Sequence, residues 1–525
     1  MVSALLNWLD SRTGYRTGLS HLLDEKLPAG VGWWFVTGSI LLFLLGTQLA
    51  TGVVLTMFYV PSPDHAHESV RYITEQLPFG RLLRGLHFFG ASFIVIAAVA
   101  HMLRVVLLGS YKKPREATWI TGVVLLLVIL AFALSGYLLP WDQKAYWATT
   151  VTINVARSGP FGELVAGLLR GGESLGALTL LRWYSAHVFL LPACLIVFAA
   201  SHVYLMRRHG ISGPIEPQPG PSLPFYPHHA LKDTLAMALV FAALVGAAAM
   251  FPVPLDEVAD STDATYVPRP EWYFLSLFQL LKYFPGPLEP VATVGIPGLV
   301  VGWLLALPFL DRSRGRRLRD RPMVAAGFLV LGMGVVALTS LGLRDSPTSQ
   351  KPKWTPVARA GATFVRDTRC VGCHRAGGGG GPIAELRPVR DPEWVRAHVR
   401  DPEVLVPGSR PPLNGAMTAG QAFSVVSYMR RVRAGVGAPP AVSPDMATTS
   451  LIVGRYCASC HMLDGEGGSA GPDLTAIGKT RDASWLKEWI TDPSVVDPAA
   501  SMPAFGETLS EKELSALVKH LAGRK

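Results

Sequence analysis

The stretches CVGCH (370–374) and CASCH (457–461) place two thiols and an imidazole at the same intervals. Two cysteines so spaced can form thioethers to the vinyl groups of a haem, and the histidine that follows can reach its iron. A lone CxxC also serves thiol exchange or zinc. Two CxxCH units 87 residues apart, on a tail without a long apolar run, point instead to two covalent haems c. The candidate residues are Cys370, Cys373 and His374 for one, and Cys457, Cys460 and His461 for the other.

Four more histidines sit inside apolar runs. His87 and His101 are 14 residues apart in one run, and His187 and His202 are 15 apart in another. Fourteen helical residues rise about 21 Å and make nearly four whole turns. Each pair therefore shares one helix face at two depths. If both helices cross a membrane in the same direction, His87 meets His187 and His101 meets His202. That makes two bis-histidine haem b sites, one above the other. Gly38 and Gly52, and Gly122 and Gly136, repeat the 14-residue interval in two further runs. A flat macrocycle between helices needs positions without side chains at each depth. One intramembrane histidine is usually a packing residue, but four in register with two glycine pairs mark function. Arg84 and Arg104 lie three residues from proposed ligands, as partners for haem propionates or as membrane-end anchors.

The elements that must hold these residues are membrane helices. Half of the 525 residues are hydrophobic and only 16% are charged. That composition describes a membrane protein. Seven apolar runs, near 33–59, 86–108, 117–139, 184–206, 233–252, 291–310 and 323–343, are long enough to span a bilayer. The connections after the second, fourth and sixth runs are basic, and one, DRSRGRRLRDR (311–321), holds six arginines. Lying between apolar runs, it reads as a cytoplasmic loop and not as a nucleic-acid site. The N-terminus is then cytoplasmic and the tail lies outside, where haem c is normally attached. Residues 1–30 are too polar for a cleavable leader and read as an amphipathic surface helix. Cys194, in an apolar run, reads as a small core residue. The expected fold is all-α. A seven-span bundle holds two haems b, and two small α-helical cytochrome c domains follow it. The expected domains are 1–215, 216–345, 346–438 and 439–525.

Residues 1–210 resemble the b6 type of cytochrome b, most clearly in GSYKKPREATWITG (109–122), in GYLLPWDQKAYW (136–147) and in the 15-residue histidine interval. Residues 220–343 resemble its partner, subunit IV, here fused to the first half. The b6 type carries an extra covalent haem on a cysteine, and Val36 stands about where that cysteine would fall, so no such haem is expected. PRPEWYFL (268–275) contains the family's PEWY motif, which implies a quinol-oxidation site. Quinol loses two protons with two electrons, and Glu271 is placed to accept one. Tyr273 hydrogen-bonds the same group or packs. The bland reading of the motif is a helix start. Trp141 and Tyr146 line the same cavity or are interfacial aromatics. FYPHHALKDTL (225–235) resembles the segment that carries the quinone-reduction site. Lys232 and Asp233 would supply protons there, with His228 and His229 as further candidates; capping and loop charge are the bland alternative.

Each tail domain resembles class I cytochrome c. DPSVVDPAASMPAFGETLSEKELSALVKHL (492–521) aligns with DPEVLVPGSRPPLNGAMTAGQAFSVVSYM (401–429) with a one-residue gap. Met502 before Pro503 is the usual sixth-ligand pattern, so the second haem is expected to be His461/Met502. In the first domain Arg410 or Pro411 holds that place. Its sixth ligand is left open between Met417 after a loop shift, His398, Met429 and no residue at all.

The resemblance implies a subunit of a proton-translocating quinol–cytochrome c oxidoreductase of the bc1/b6f class in a bacterial cytoplasmic membrane. Quinol and quinone are its substrates. No Rieske boxes occur in the chain, so the Rieske iron–sulfur protein is expected as a separate partner. A homodimer is expected as well. The tail would pass electrons to a soluble or membrane cytochrome c or to a terminal oxidase. Two other classes compete. One is a haem b anchor for another redox enzyme, which would need no PEWY segment. The other is a gas sensor built on the first haem c.

Overall fold

The computed structural model describes the chain apart from residues 1, 173–174, 217–218, 220, 260–265, 267–268, 345–353, 368–369, 376–379, 384–391, 406–416, 434–437, 469, 499 and 525. The chain divides into two compact units. The first is Met1–Leu255 with Pro268–Ser346, and the second is Asp256–Val267 with Pro347–Lys525. Arg410 and Pro411 lie outside the described residues.

In the first unit seven helices are long and apolar enough to cross a membrane. Spans 1 to 7 are Thr37–Thr56, Gly80–Leu107, Glu116–Leu138, Ala177–His209, Phe225–Met250, Gly286–Leu310 and Pro322–Arg344. Hydrocarbon offers no partner to a free peptide group, so helices that bond their own backbone are the stable form. Spans 2, 4 and 5 start six, seven and eight residues before the apolar runs that announce them. The added turns carry Arg81 and Arg84, Arg182, and His228, His229 and Lys232, so hydropathy misses them while helical bonding continues. The N-terminal segment forms two helices, Val2–Thr13 and Tyr15–Leu23, where one was expected. Gly14 breaks them with a left-handed φ of 63°.

Spans 1, 2, 3 and 5 share a core of Leu44, Ile94, Val95, Ala98, Ile129 and Leu244. Spans 2 and 5 touch closely at Gly85, where an added Cβ would lie 2.8 Å from the Cβ of Ala248.

The arginine run is part of a polar knot. Arg321 is 2% exposed. Its guanidinium donates to the carbonyls of Val106, Leu107 and Arg316 and to the Tyr111 hydroxyl. Arg316 donates to the Leu108 carbonyl. The carbonyls of Val106, Leu107 and Leu108 at the end of span 2 are thus capped by two cations from the connection between spans 6 and 7. Asp311 accepts from Tyr111 at 2.5 Å and pairs with Lys112 at 2.9 Å. Burial would raise the Asp311 carboxyl, but hydrogen bonds from Ser313, Tyr111 and Lys112 outweigh it and hold it at about 2.

The second unit has two cores. One gathers Ala360, Phe364, Val365, Val395, Met417, Ala422, Val425, Val426 and Met429. The other is built mainly from Ile452, Val453, Leu463, Leu486, Ile490, Leu509, Leu514, Leu517 and Leu521, with Val357 reaching into it from the first helix. They come together through helix Pro356–Asp367, whose Ala360 sits against Gly454: a Cβ there would lie 2.4 Å from the alanine's own. A buried ion pair crosses the same join. Glu466 accepts from Arg431 and from the Thr355 hydroxyl, and all three side chains are buried.

Glu466→Ala removes the buried carboxylate that accepts from both Arg431 and Thr355, and breaking such a pair costs about 3–5 kcal/mol. The expected result is a tail that loses protease resistance in the full-length chain while the membrane helices stay intact. For Asp311 the unfolded carboxyl titrates near about 3.9. Its contribution is therefore complete above that pH and fades as pH falls toward 2. The gap in unfolding midpoint between the protein and Asp311→Asn should be constant from neutrality to about pH 4 and shrink below it.

Candidate functional site

Spans 1 to 4 bring the four intramembrane histidines together in two pairs. His87 and His187 have ring centroids 6.3 Å apart and planes at 71°. His101 and His202 are 6.4 Å apart at 65°. One pair lies above the other along the same two helices.

The glycines of spans 1 and 3 face these rings one for one. A Cβ on Gly38 would meet His101 Cε1 at 3.6 Å, and one on Gly52 would meet His87 at 3.2 Å. Gly122 faces His202 at 3.2 Å and Gly136 faces His187 at 2.8 Å. The missing side chains make room for the imidazoles, and through them for whatever lies between.

A hydroxyl precedes each glycine and holds the ring. Thr37, Thr51 and Thr121 place Oγ1 at 3.0, 3.0 and 3.1 Å from Nδ1 of His101, His87 and His202. Ser135 places Oγ 2.9 Å from Nδ1 of His187. Thr51, Thr121 and Ser135 already donate their protons to carbonyls one turn back, at 2.8, 3.1 and 2.8 Å. Their oxygens must therefore accept from Nδ1–H. That fixes the tautomer of His87, His202 and His187 and leaves each Nε2 with a free lone pair. Neutral imidazoles so held are ligands for a metal.

The unequal intervals now have a cause. Span 4 contains a π-turn at Ala186–Leu190, which includes His187. A π-turn absorbs one extra residue in a helix. Fifteen residues in span 4 thus match fourteen in span 2.

Glu271 lies next to the first pair's end of span 3. Its carboxylate takes an ion pair from Lys144 at 2.5 Å, both side chains mostly buried. Lys144 is in the first turn of helix Gln143–Arg157, capped by Asp142, whose Oδ1 accepts from Ala145 N at 2.8 Å. Phe274, three residues beyond Glu271, packs on Tyr137, the residue after Gly136. Tyr273 packs onto the core of spans 1, 2, 3 and 5. Burial, then the Glu271 carboxylate, push its phenol up, so it remains a hydrogen-bond donor. Trp141 is buried against Tyr146 at 6.0 Å.

At the second pair's end, Asp233 is 4% exposed and His229 is 5% exposed. They pair one helical turn apart, with Nε2 3.6 Å from Oδ1. Ser39 hydrogen-bonds the same carboxylate and follows Gly38, which faces His101. Asp233 thus has His229 as its partner; Lys232, beside it in sequence, is half-buried, and no ion pair joins the two among the described residues. His228 is exposed. The two arginines diverge. Arg84 is occupied by Thr74 Oγ1 and the carbonyls of Val253 and Pro254, which ties span 2 to the end of span 5. Arg104 lies over the Phe35 ring at 5.2 Å, with its Nε lacking a hydrogen-bond partner among the described residues.

In the tail both motif histidines are held alike. His374 Nδ1 lies 3.1 Å from the Gly380 carbonyl, and His461 Nδ1 lies 2.8 Å from that of Pro472. Each carbonyl takes the Nδ1 proton and leaves Nε2 free. The four thiols form no disulfide. Met502 is half-buried against the second core, and Met417 is buried inside the first.

Known proteins resemble this chain. The family described as "Cytochrome b/b6/petB" matches residues 22–210, and "Cytochrome b(C-terminal)/b6/petD" matches 259–363. A cytochrome bc complex cytochrome b subunit of Chlorobaculum thiosulfatiphilum is 35% identical over 322 residues, covering 60% of this chain and 74% of its own. The chain belongs to the cytochrome b family. A cytochrome b6 of Synechococcus is 41% identical over 215 residues, 41% of this chain and 100% of that one. A "Cytochrome b/c1" of Bradyrhizobium diazoefficiens is 34% identical over 348 residues, and the match spans only 50% of it. A solved "Hyperthermophilic respiratory Complex III" chain superposes with a TM-score of 0.59 at 31% identity, over 66% of this chain and 92% of that one. Residues 444–521 match "Cytochrome C oxidase, cbb3-type, subunit III". The chain is thus an integral-membrane cytochrome b with a cytochrome c domain on its tail. Haem b and haem c are the groups these domains imply. The donor set fits haem b, because four neutral imidazoles face each other in pairs across room cleared by glycine.

Sequence reasoning missed the four hydroxyls, Lys144 and the pairing role of His229. The hydroxyls had a visible sign, a Thr or Ser before each spaced glycine. Gly136→Ala puts a methyl 2.8 Å from His187 and should cost the haem held by that pair, whereas Gly38→Ala, at 3.6 Å, should keep both haems. Thr51→Val should weaken haem retention by about 10–100-fold. Haem b content of the purified chain, read from reduced-minus-oxidised spectra, checks all three.

Proposed function

We propose that the chain is the cytochrome b subunit of a proton-translocating quinol–cytochrome c oxidoreductase in a bacterial cytoplasmic membrane. The observation that carries this reading is a carboxylate at each end of the stacked imidazole pairs: Glu271 beside one and Asp233 beside the other. An enzyme that oxidises quinol at one face and reduces quinone at the other needs a proton acceptor and a proton donor in those two places.

Haems held by His87 and His187, and by His101 and His202, supply single-electron transfer. Quinol bound near the PEWY segment gives a proton to Glu271 as it is oxidised. Lys144 keeps that carboxylate fixed, and the Tyr273 hydroxyl is a donor for the quinol oxygen. Trp141 and Tyr146 form an aromatic wall nearby. At the opposite end Asp233 protonates a quinone being reduced. His229 relays to Asp233, and Lys232 draws protons from the loop side. Taking up protons at one face and releasing them at the other translocates charge.

One electron from each quinol leaves to a separate Rieske iron–sulfur protein, and the other is destined for the quinone at the Asp233 end. The basic loops support a cytoplasmic Asp233 end and N-terminus, and with seven spans that orientation has the tail outside. There, Cys370, Cys373 and His374 would hold one haem c, and Cys457, Cys460, His461 and Met502 the other; these groups would supply single-electron transfer from the Rieske protein to a soluble or membrane cytochrome c or to a terminal oxidase. The complex is a homodimer.

A positioned general base is worth about 100-fold or more. Glu271→Gln should cut quinol–cytochrome c reduction by about that factor with both haem b signals kept. Unchanged turnover would overturn the assignment. Asp233→Asn should slow reoxidation of the haem at the His101/His202 pair and leave first-turnover quinol oxidation untouched. Co-purification of a Rieske protein tests the class itself.

A further inference from the structure

We propose that His398 is the distal iron ligand of the haem attached at CVGCH, opposite His374. The inference rests on the reading of CVGCH as a covalent haem site. The two rings face each other with centroids 6.0 Å apart and planes at 54°. The two intramembrane pairs stand at 6.3 and 6.4 Å. His374 and His398 thus have the separation of a bis-histidine couple.

The nitrogens agree. His374 gives Nδ1–H to the Gly380 carbonyl and keeps Nε2 free. His398 Nδ1 is buried with no hydrogen-bond partner among the described residues. No described hydrogen bond at Nδ1 therefore holds this ring in another orientation, which leaves Nε2 open to iron.

The scaffold agrees too. His398 stacks on Trp394 with centroids 4.9 Å apart and planes at 12°. In the second domain Trp489 stacks on Trp485 at 4.9 Å and 13°. By the alignment of 401–405 with 492–496, Trp394 matches Trp485 and His398 matches Trp489. The first domain therefore sets an imidazole where the second sets an indole, on the same aromatic shelf. The rival methionines have other work. Met417 and Met429 are buried in the first core, at the positions of Leu509 and Leu521 in the second. Arg396 also pins the Met417 carbonyl with a 3.3 Å hydrogen bond.

The test uses the full-length holoprotein in its complex. Only one haem c then has methionine ligation. The weak far-red band of methionine-ligated ferric haem should vanish in Met502→Leu and persist in full in Met417→Leu and Met429→Leu. In His398→Ala the first haem should turn high-spin and, once reduced, bind carbon monoxide. His398→Met should restore a low-spin haem and add intensity to the far-red band. A far-red band diminished by Met417→Leu or Met429→Leu would overturn the proposal. So would a His398→Ala haem that stays low-spin and closed to carbon monoxide. Haem staining separates the two levels of the argument: loss of only one covalent haem in a Cys370→Ala, Cys373→Ala chain supports the attachment reading, and no loss would sink that reading itself.

Discussion

Four hydrogen bonds between an imidazole Nδ1 and a threonine or serine hydroxyl are the constraint on which the membrane half depends. Each oxygen is available as an acceptor because, where the bond is seen, its proton has gone to a carbonyl one turn back. The helix backbone thereby decides which nitrogen of the histidine is protonated. This matters in lipid, where a wrongly turned ring finds no water to correct it. The register of spans 1 and 3 against spans 2 and 4 must be right to within a fraction of a turn. The π-turn at Ala186–Leu190 is how span 4 keeps that register with one residue too many.

Much of this was legible from spacing. A 14-residue interval of His or Gly in an apolar run has few causes, and the seven apolar runs translate directly into helices. What spacing could not show is which side chains meet across elements. Glu271 and Lys144 are 127 positions apart, and nothing local marks the lysine as its partner. Arg84 looked like a propionate partner by proximity to His87; its guanidinium goes to carbonyls some 170 positions away. His229 and Asp233, by contrast, are one helical turn apart and could have been paired on paper. Charge near an apolar end was read as one effect, orientation. In Arg321 and Arg316 the same charges also close the exposed end of span 2.

The two halves of the tail share a pattern more than a sequence. Both keep a CxxCH histidine tied by Nδ1 to a carbonyl, a stacked aromatic pair, and leucine or methionine at equivalent core positions. A sequence alignment sees a missing methionine; only the stacking geometry shows what stands nearby.

The buried bond from Arg431 to Glu466 has a further meaning. It lies at the join between the two tail cores, with Thr355 as a third party. Such a bond resists the parting of the two modules, because it would have to be broken in a dry interior. On the proposed reading of CVGCH and CASCH as haem sites, the hop between them is then of fixed length, set by folding and insensitive to diffusion. Tuning that relay through evolution would need coordinated change on both sides of the seam.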